Sequence, residues 1–177
     1  MLEAAPTSSP FAVLQAKQRA WLITLLTVIV EAYELGAVLG PGVVLETEAG
    51  RLCPDVAYIP NTDRSRVKAD AVRGGAPLVI DVLHSRVPEA ERAALRQRYA
   101  AAQVLEYWQV DADRGQATCY QANADWRYEP IPPDARGIYY SAAIVHLAFP
   151  VDWFRKQPGL LTLLEWWGIV ERDEAHE

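Results

Sequence analysis

Pro77-Leu78-Val79-Ile80-Asp81-Val82-Leu83 is the segment that most narrows what this chain can fold into. Its apolar side chains fall on successive positions, so both faces of the strand are buried and it belongs in the middle of a covered sheet. One charged residue, Asp81, stands inside it. An unpaired buried carboxylate costs several kcal/mol or becomes protonated. A hydrogen-bond partner, a cation or a metal must therefore meet it. Pro88 then opens a helix to about Ala102, rich in Ala, Glu and Arg, and Leu105 to Val110 reads as the next strand. Strand, helix and strand in that order predict a right-handed crossover between parallel neighbours.

Around this unit the pattern predicts further elements. Ser8-Ser9-Pro10 starts a long helix that runs to about Leu35 and is ended by Gly36. Val43 to Glu48 and Leu52 to Ile59 form a strand pair around Ala49-Gly50, and Pro60 stops the second. Asn61 to Gly75 is polar and reads as a loop. Ala94, Leu95, Tyr99 and Ala102 face the sheet from the Pro88 helix. Gln116 to Gln121 returns beside Leu105 to Val110 as a hairpin across Asp111 to Gly115. Short strands are expected at Asp125 to Glu129 and Gly137 to Tyr140, and a last helix from Leu160 to Val170. The expected architecture is an α/β or α+β layered fold, with a mixed β-sheet flanked by helices, in one domain over residues 1 to 177.

Several function classes recede on composition. The most apolar run, Ala20 to Val30, is too short to span a bilayer and is followed by Glu31 and Glu34, so a buried helix is expected and no membrane. Met1 to Ala5 lacks the basic start of a signal peptide. Cys53 and Cys119 match no metal spacing and read as reduced thiols in a cytoplasmic protein. The net charge of −6 excludes a generally basic nucleic-acid binder. Arg64 to Arg98 nevertheless carries eight basic and four acidic residues, +4, against −10 for the rest. That segment is either a basic face beside Asp81 or a solvated surface.

Asp55, in Pro54-Asp55-Val56, falls at the beginning or middle of a strand, and Asp81 follows 26 positions later. Two carboxylates converging from neighbouring strands suit Mg²⁺ or Mn²⁺, which prefer oxygen ligands. The carbonyl of Val82 is the candidate third ligand. Spacing alone also allows simpler roles: Asp55 as a strand-end cap, and Asp81 in a salt bridge to Arg96 or Arg98. His84 and Glu106 are open to a site role or a structural one, and His146 reads as a satisfied structural histidine.

"CPDVAYIP", "PLVIDVLHS", "RQRYAAAQVLEYWQVD" and "VDWF", taken in order, resemble the Uma-two family of endonucleases, within the PD-(D/E)XK restriction-endonuclease-like superfamily. Pro54-Asp55-Val56, Asp81-Val82-Leu83, Tyr99, Glu106-Tyr107-Trp108 and Asp111 carry the likeness, which spans about residues 12 to 170. It implies a restriction-endonuclease-like core, with Asp55, Asp81 and Val82 as metal ligands and Mg²⁺ or Mn²⁺ as cofactor. It also implies DNA as the substrate, hydrolysed by a metal-activated water, and it makes a homodimer plausible.

The chain departs from the family pattern in four ways. Asp81 replaces a glutamate and shortens the reach by one methylene. His84 replaces a serine. Leu95 stands where the helix carries a lysine, leaving Arg96, or secondarily Arg92, to supply a positive charge. Arginine holds a phosphate but is a poor proton acceptor. The N-terminal hairpin that precedes the first long helix in the family is expected to be missing. Two readings therefore stand: an endonuclease with Asp55, Asp81 and Arg96 as its catalytic residues, or a degenerate member that binds or scaffolds.

Overall fold

The structure is a computed structural model and describes residues 10–171. The chain begins with α1 (Ala12–Ala32). Ser8 and Ser9 lie outside the described residues. Gly36 does not end this helix. Glu34 takes the left-handed conformation at φ 50°, while Glu34 N–H bonds Glu31 O and Leu35 N–H bonds Val30 O. That double bond is a Schellman closure. Gly36 is needed for another reason: a Cβ there would lie 2.1 Å from Ile59 O, on the adjacent strand.

The strands follow: β1 (Gly36–Leu39), β2 (Leu45–Thr47), β3 (Gly50–Leu52), β4 (Val56–Pro60), β5 (Val72–Arg73) and β6 (Leu78–Leu83). Next come α2 (Glu89–Ala101), β7 (Glu106–Asp111), β8 (Gln116–Ala122), β9 (Tyr128–Pro130), β10 (Ile138–Tyr140) and β11 (Ala148–Pro150). Two short helices close the described chain, α3 (Trp153–Lys156) and α4 (Leu160–Trp166). The main sheet has six strands in the order β1-β4-β6-β7-β8-β9. β6 and β7 are parallel, as the crossover through α2 requires, and the other neighbours are antiparallel.

The expected strand from Leu52 to Ile59 is divided. β3 pairs with β2 in a small separate sheet, whereas β4 crosses into the main one. Pro54 has no N–H to continue a ladder, so the chain breaks there. Asp55 re-enters by donating its N–H to Ile80 O at 3.0 Å. The stretch expected as a loop holds a 3-10 helix (Asn61–Arg66) and β5, which lies parallel to β2.

The alternation of β6 divides the core. Leu78, Ile80 and Val82 face α1, α3 and α4 together with Trp108, Phe149 and Phe154. Val79 faces the α2 side with Tyr99, Ala102, Val104 and Tyr107. Leu95 packs against that cluster, but Ala94 is exposed, because the sheet-facing stripe of α2 runs 95, 99, 102. By length and composition α1 could cross a bilayer. Leu22, Leu25, Leu26 and Ile29 are instead fully buried against the sheet.

Candidate functional site

The break at Pro54 places Asp55 at the entrance of β4, beside the middle of β6. Its Oδ2 accepts the Val82 N–H at 2.7 Å, and its Oδ1 accepts Arg19 Nε–H from α1 at 2.6 Å. Asp81, on the α2 face of β6, accepts two hydroxyl protons. Tyr99 on α2 donates to Oδ1 at 3.1 Å, and Tyr107 on β7 donates to Oδ2 at 2.9 Å. Asp81 is only 7% exposed. Burial pushes its carboxyl up to about 6; the charge of Asp55 adds to the rise, while the Tyr107 and Tyr99 hydroxyls oppose it. Burial and the charge of Asp81 push both tyrosines far above their ordinary range, so they stay protonated donors.

Asp55, Asp81 and Val82 line one cleft of about 440 Å³, with Arg19, Arg51, Leu95, Arg98 and Tyr99 around them. The two aspartates singled out by sequence are thus brought together by adjacent antiparallel strands. The Uma2 family model, described as "Putative restriction endonuclease", matches residues 6–151 of this chain.

The chain belongs to the Uma2 family. Among solved structures, "a putative nuclease belonging to DUF820" from Anabaena variabilis ATCC 29413 superposes with a TM-score of 0.64 at 10% identity, over 89% of this chain and 86% of that one. That likeness shows the fold, a restriction-endonuclease-like mixed sheet flanked by helices. No curated protein matches the chain.

Against the Uma2 pattern, Leu95 does take a wall position of the cleft, where the family lysine is expected. Neither proposed substitute shares that cleft. Arg92 bonds Asp111 and the carbonyl of His84. Arg96 bonds Glu89 and lies over the Tyr120 ring. It reaches Asp81 only by relay: Arg96 Nη1–H donates to Gln109 Oε1 at 3.1 Å, Gln109 Nε2–H to Tyr107 Oη at 3.2 Å, and Tyr107 O–H to Asp81. Arg96 is thus linked to Asp81 through Gln109 and Tyr107 and does not itself line the cleft. The physical reason is helical period: position 96 lies about 100° round α2 from position 95.

The basic segment does not form one face. Of its eight cations, Arg66, Arg73, Arg92 and Arg96 are paired with Asp63, Asp70 and Glu46, Asp111 and Glu89. Only Arg98 of this segment lines the cleft. His84 stacks on Phe11 at 4.6 Å between ring centroids, and His146 is exposed and stacks on Tyr33 at 4.5 Å. Glu106 lies on the opposite face of the sheet and is fully buried there.

Restriction-endonuclease-like families generally use divalent metals. The donors in this cleft do not fit such an ion as they stand. Asp55 is already neutralised by Arg19, and the Val82 carbonyl accepts Gln15 Nε2–H at 3.0 Å. Asp81 is held back by two hydroxyls. Among the described residues no group of three or more His, Cys, Asp or Glu is placed to hold a metal. Sequence reasoning missed Gln15 and Arg19. Their signal is a polar patch, Gln15, Gln18 and Arg19 at helical spacing, ahead of the apolar stretch Trp21 to Val30.

Proposed function

We propose that this Uma2 chain binds a nucleic-acid backbone, DNA in the first instance, in the Asp55–Asp81 cleft without hydrolysing it. The observation that carries the reading is Leu95. It occupies the wall beside the two aspartates, so among the described residues no lysine amine lines the cleft to orient or deprotonate a water. Arg51 and Arg98 supply charge for phosphate oxygens on the same cleft. Arg98 donates to the carbonyl of Arg51, which keeps the two side by side. The reading carries with it a cytoplasmic location and a single domain.

A second reading is favoured by the convergence of Asp55 and Asp81: an endonuclease using Mg²⁺ or Mn²⁺, in which both aspartates and Val82 hold the ion. One pair of assays separates them. Fluorescence anisotropy with a labelled duplex should show salt-dependent binding. Arg51→Ala and Arg98→Ala should each weaken it and reduce the salt slope by about one. Supercoiled plasmid should stay intact in Mg²⁺, Mn²⁺ and EDTA alike. Metal-dependent nicking that disappears in Asp55→Ala would establish the endonuclease instead. Absence of any binding at low salt would reject the backbone-binding role.

A further inference from the structure

We propose that Arg19 is a resident counter-cation, taking by charge the place that a divalent metal would hold at Asp55, and that its removal converts the cleft into a divalent-cation site. The inference rests on the reading of the cleft as one that has given up metal chemistry.

Three observations meet here. Arg19 lies one residue past the buried Gln18 in a helix whose later turns pack apolar side chains on the sheet, and it directs its Nε–H onto Asp55 Oδ1 at 2.6 Å. The pair is largely withdrawn from water, at 27% and 22% side-chain exposure. Four residues earlier, on the same helical face, Gln15 holds the Val82 carbonyl. One turn of α1 thus covers two of the three oxygen donors that converge on the cleft. A carboxylate partly buried beside a second carboxylate needs a positive partner. A fixed guanidinium satisfies that need permanently, since arginine keeps its charge at every physiological pH. A divalent ion approaching Asp55 would meet that charge within a few ångströms, so the two cations exclude each other. Without Arg19, Asp55 and Asp81 are two neighbouring carboxylates with no cation paired to either among the described residues, Arg51 and Arg98 lying elsewhere on the cleft wall. Hard divalent ions stabilise that arrangement.

The test uses Mn²⁺ alone, with binding read from the loss of its free EPR signal and from the shift in Tm. Wild type should show no saturable binding at millimolar Mn²⁺ and no shift. Arg19→Gln should gain one saturable site, and at a hundred times its Kd its Tm should rise by roughly 5–10 °C. Adding Asp55→Asn to Arg19→Gln should abolish the gain. Saturable Mn²⁺ binding by wild type that is lost in Asp55→Asn would overturn the proposal, as would a folded Arg19→Gln that gains nothing. If Arg19→Gln fails to fold, the double variant decides. Recovery of folding on removing the orphaned carboxylate supports the counter-cation role, and no recovery rejects it. Mn²⁺ binding is read without nucleic acid, so a failure of DNA binding would sink the backbone-binding reading and leave this result unaffected.

Discussion

Asp81 and Glu106 are two buried carboxylates on neighbouring parallel strands, and they are held in opposite ways. Glu106 is fully buried on the α1 face and takes hydrogens from five groups. Trp108 Nε1–H donates at 2.6 Å, Ser141 Oγ–H at 2.8 Å, Ala142 N–H at 2.7 Å and Ala143 N–H at 2.8 Å, and the Tyr139 hydroxyl completes the set. Burial still pushes its carboxyl up, against those bonds. Asp81 has two hydroxyl donors and faces a cleft. A carboxylate whose acceptor positions are filled is a structural fastener; here it ties the turn before β11 to β7. A carboxylate with acceptor capacity left over, beside Asp55 and a cavity, is what a functional site leaves behind.

The comparison breaks first at its strong end. Glu106→Leu should strand five donors, two of them buried, and cost at least about 4 kcal/mol, as measured by urea denaturation. Asp81→Asn should not approach that loss. If both variants unfold equally, the distinction between fastener and site fails.

Next is pH. The Asp81 carboxyl is raised in the folded state to about 6, from 3.8 in a free chain. The folded protein therefore holds a proton that the unfolded chain releases, and stability falls as pH rises through that window. The loss attributable to Asp81 is roughly 3 kcal/mol, complete somewhat above pH 6. Asp81→Asn should be relatively stabilised by that amount at pH 7 and by little at pH 4. Comparing variant with wild type at each pH cancels the contribution of Glu106, which has the same sign. A constant difference across the range would refute the assignment.

Tyr107→Phe sharpens the comparison further. It removes one of two donors to ionised Asp81, so it should cost about 1–2 kcal/mol at neutral pH. It should also move the Asp81 carboxyl still higher, visible as an upward shift in its carbon-13 titration. The smallest effect is expected for Arg96→Ala. It loosens a relay and a largely solvent-screened pair with Glu89, so its loss of stability should be smaller than that of Tyr107→Phe. It should leave DNA anisotropy unchanged, whereas Arg98→Ala should not.

Much of the molecule was legible in local pattern. Successive apolar residues in Pro77 to Leu83, a Pro-started helix and a turn-bounded hairpin determine the β6-α2-β7-β8 unit, including its one parallel pair. The same pattern marked Asp81 as a carboxylate that needed an explanation, and the likeness to the Uma-two family, not the pattern, marked Leu95 as an apolar residue where that family carries a lysine. Local pattern did not separate β3 from β4, because an apolar run carries no sign of which sheet it will join. Nor did it reveal the Glu34 closure of α1, since a left-handed glutamate is stabilised by the carbonyls it caps and not by its own preference.

The sequence by itself determined that Asp81 enters the core within its strand and that Asp55 opens a neighbouring one, because burial follows from nearest-neighbour hydrophobicity. Only the tertiary structure decided what neutralises them. Arg19 meets Asp55 across 36 residues, Tyr107 meets Asp81 across 26, and Arg96 turns along the sheet to Gln109 and Tyr120 instead of into the cleft. Hydrogen bonds and charge pairing act over a few ångströms in space, and no periodicity along the chain encodes which distant side chains will arrive there.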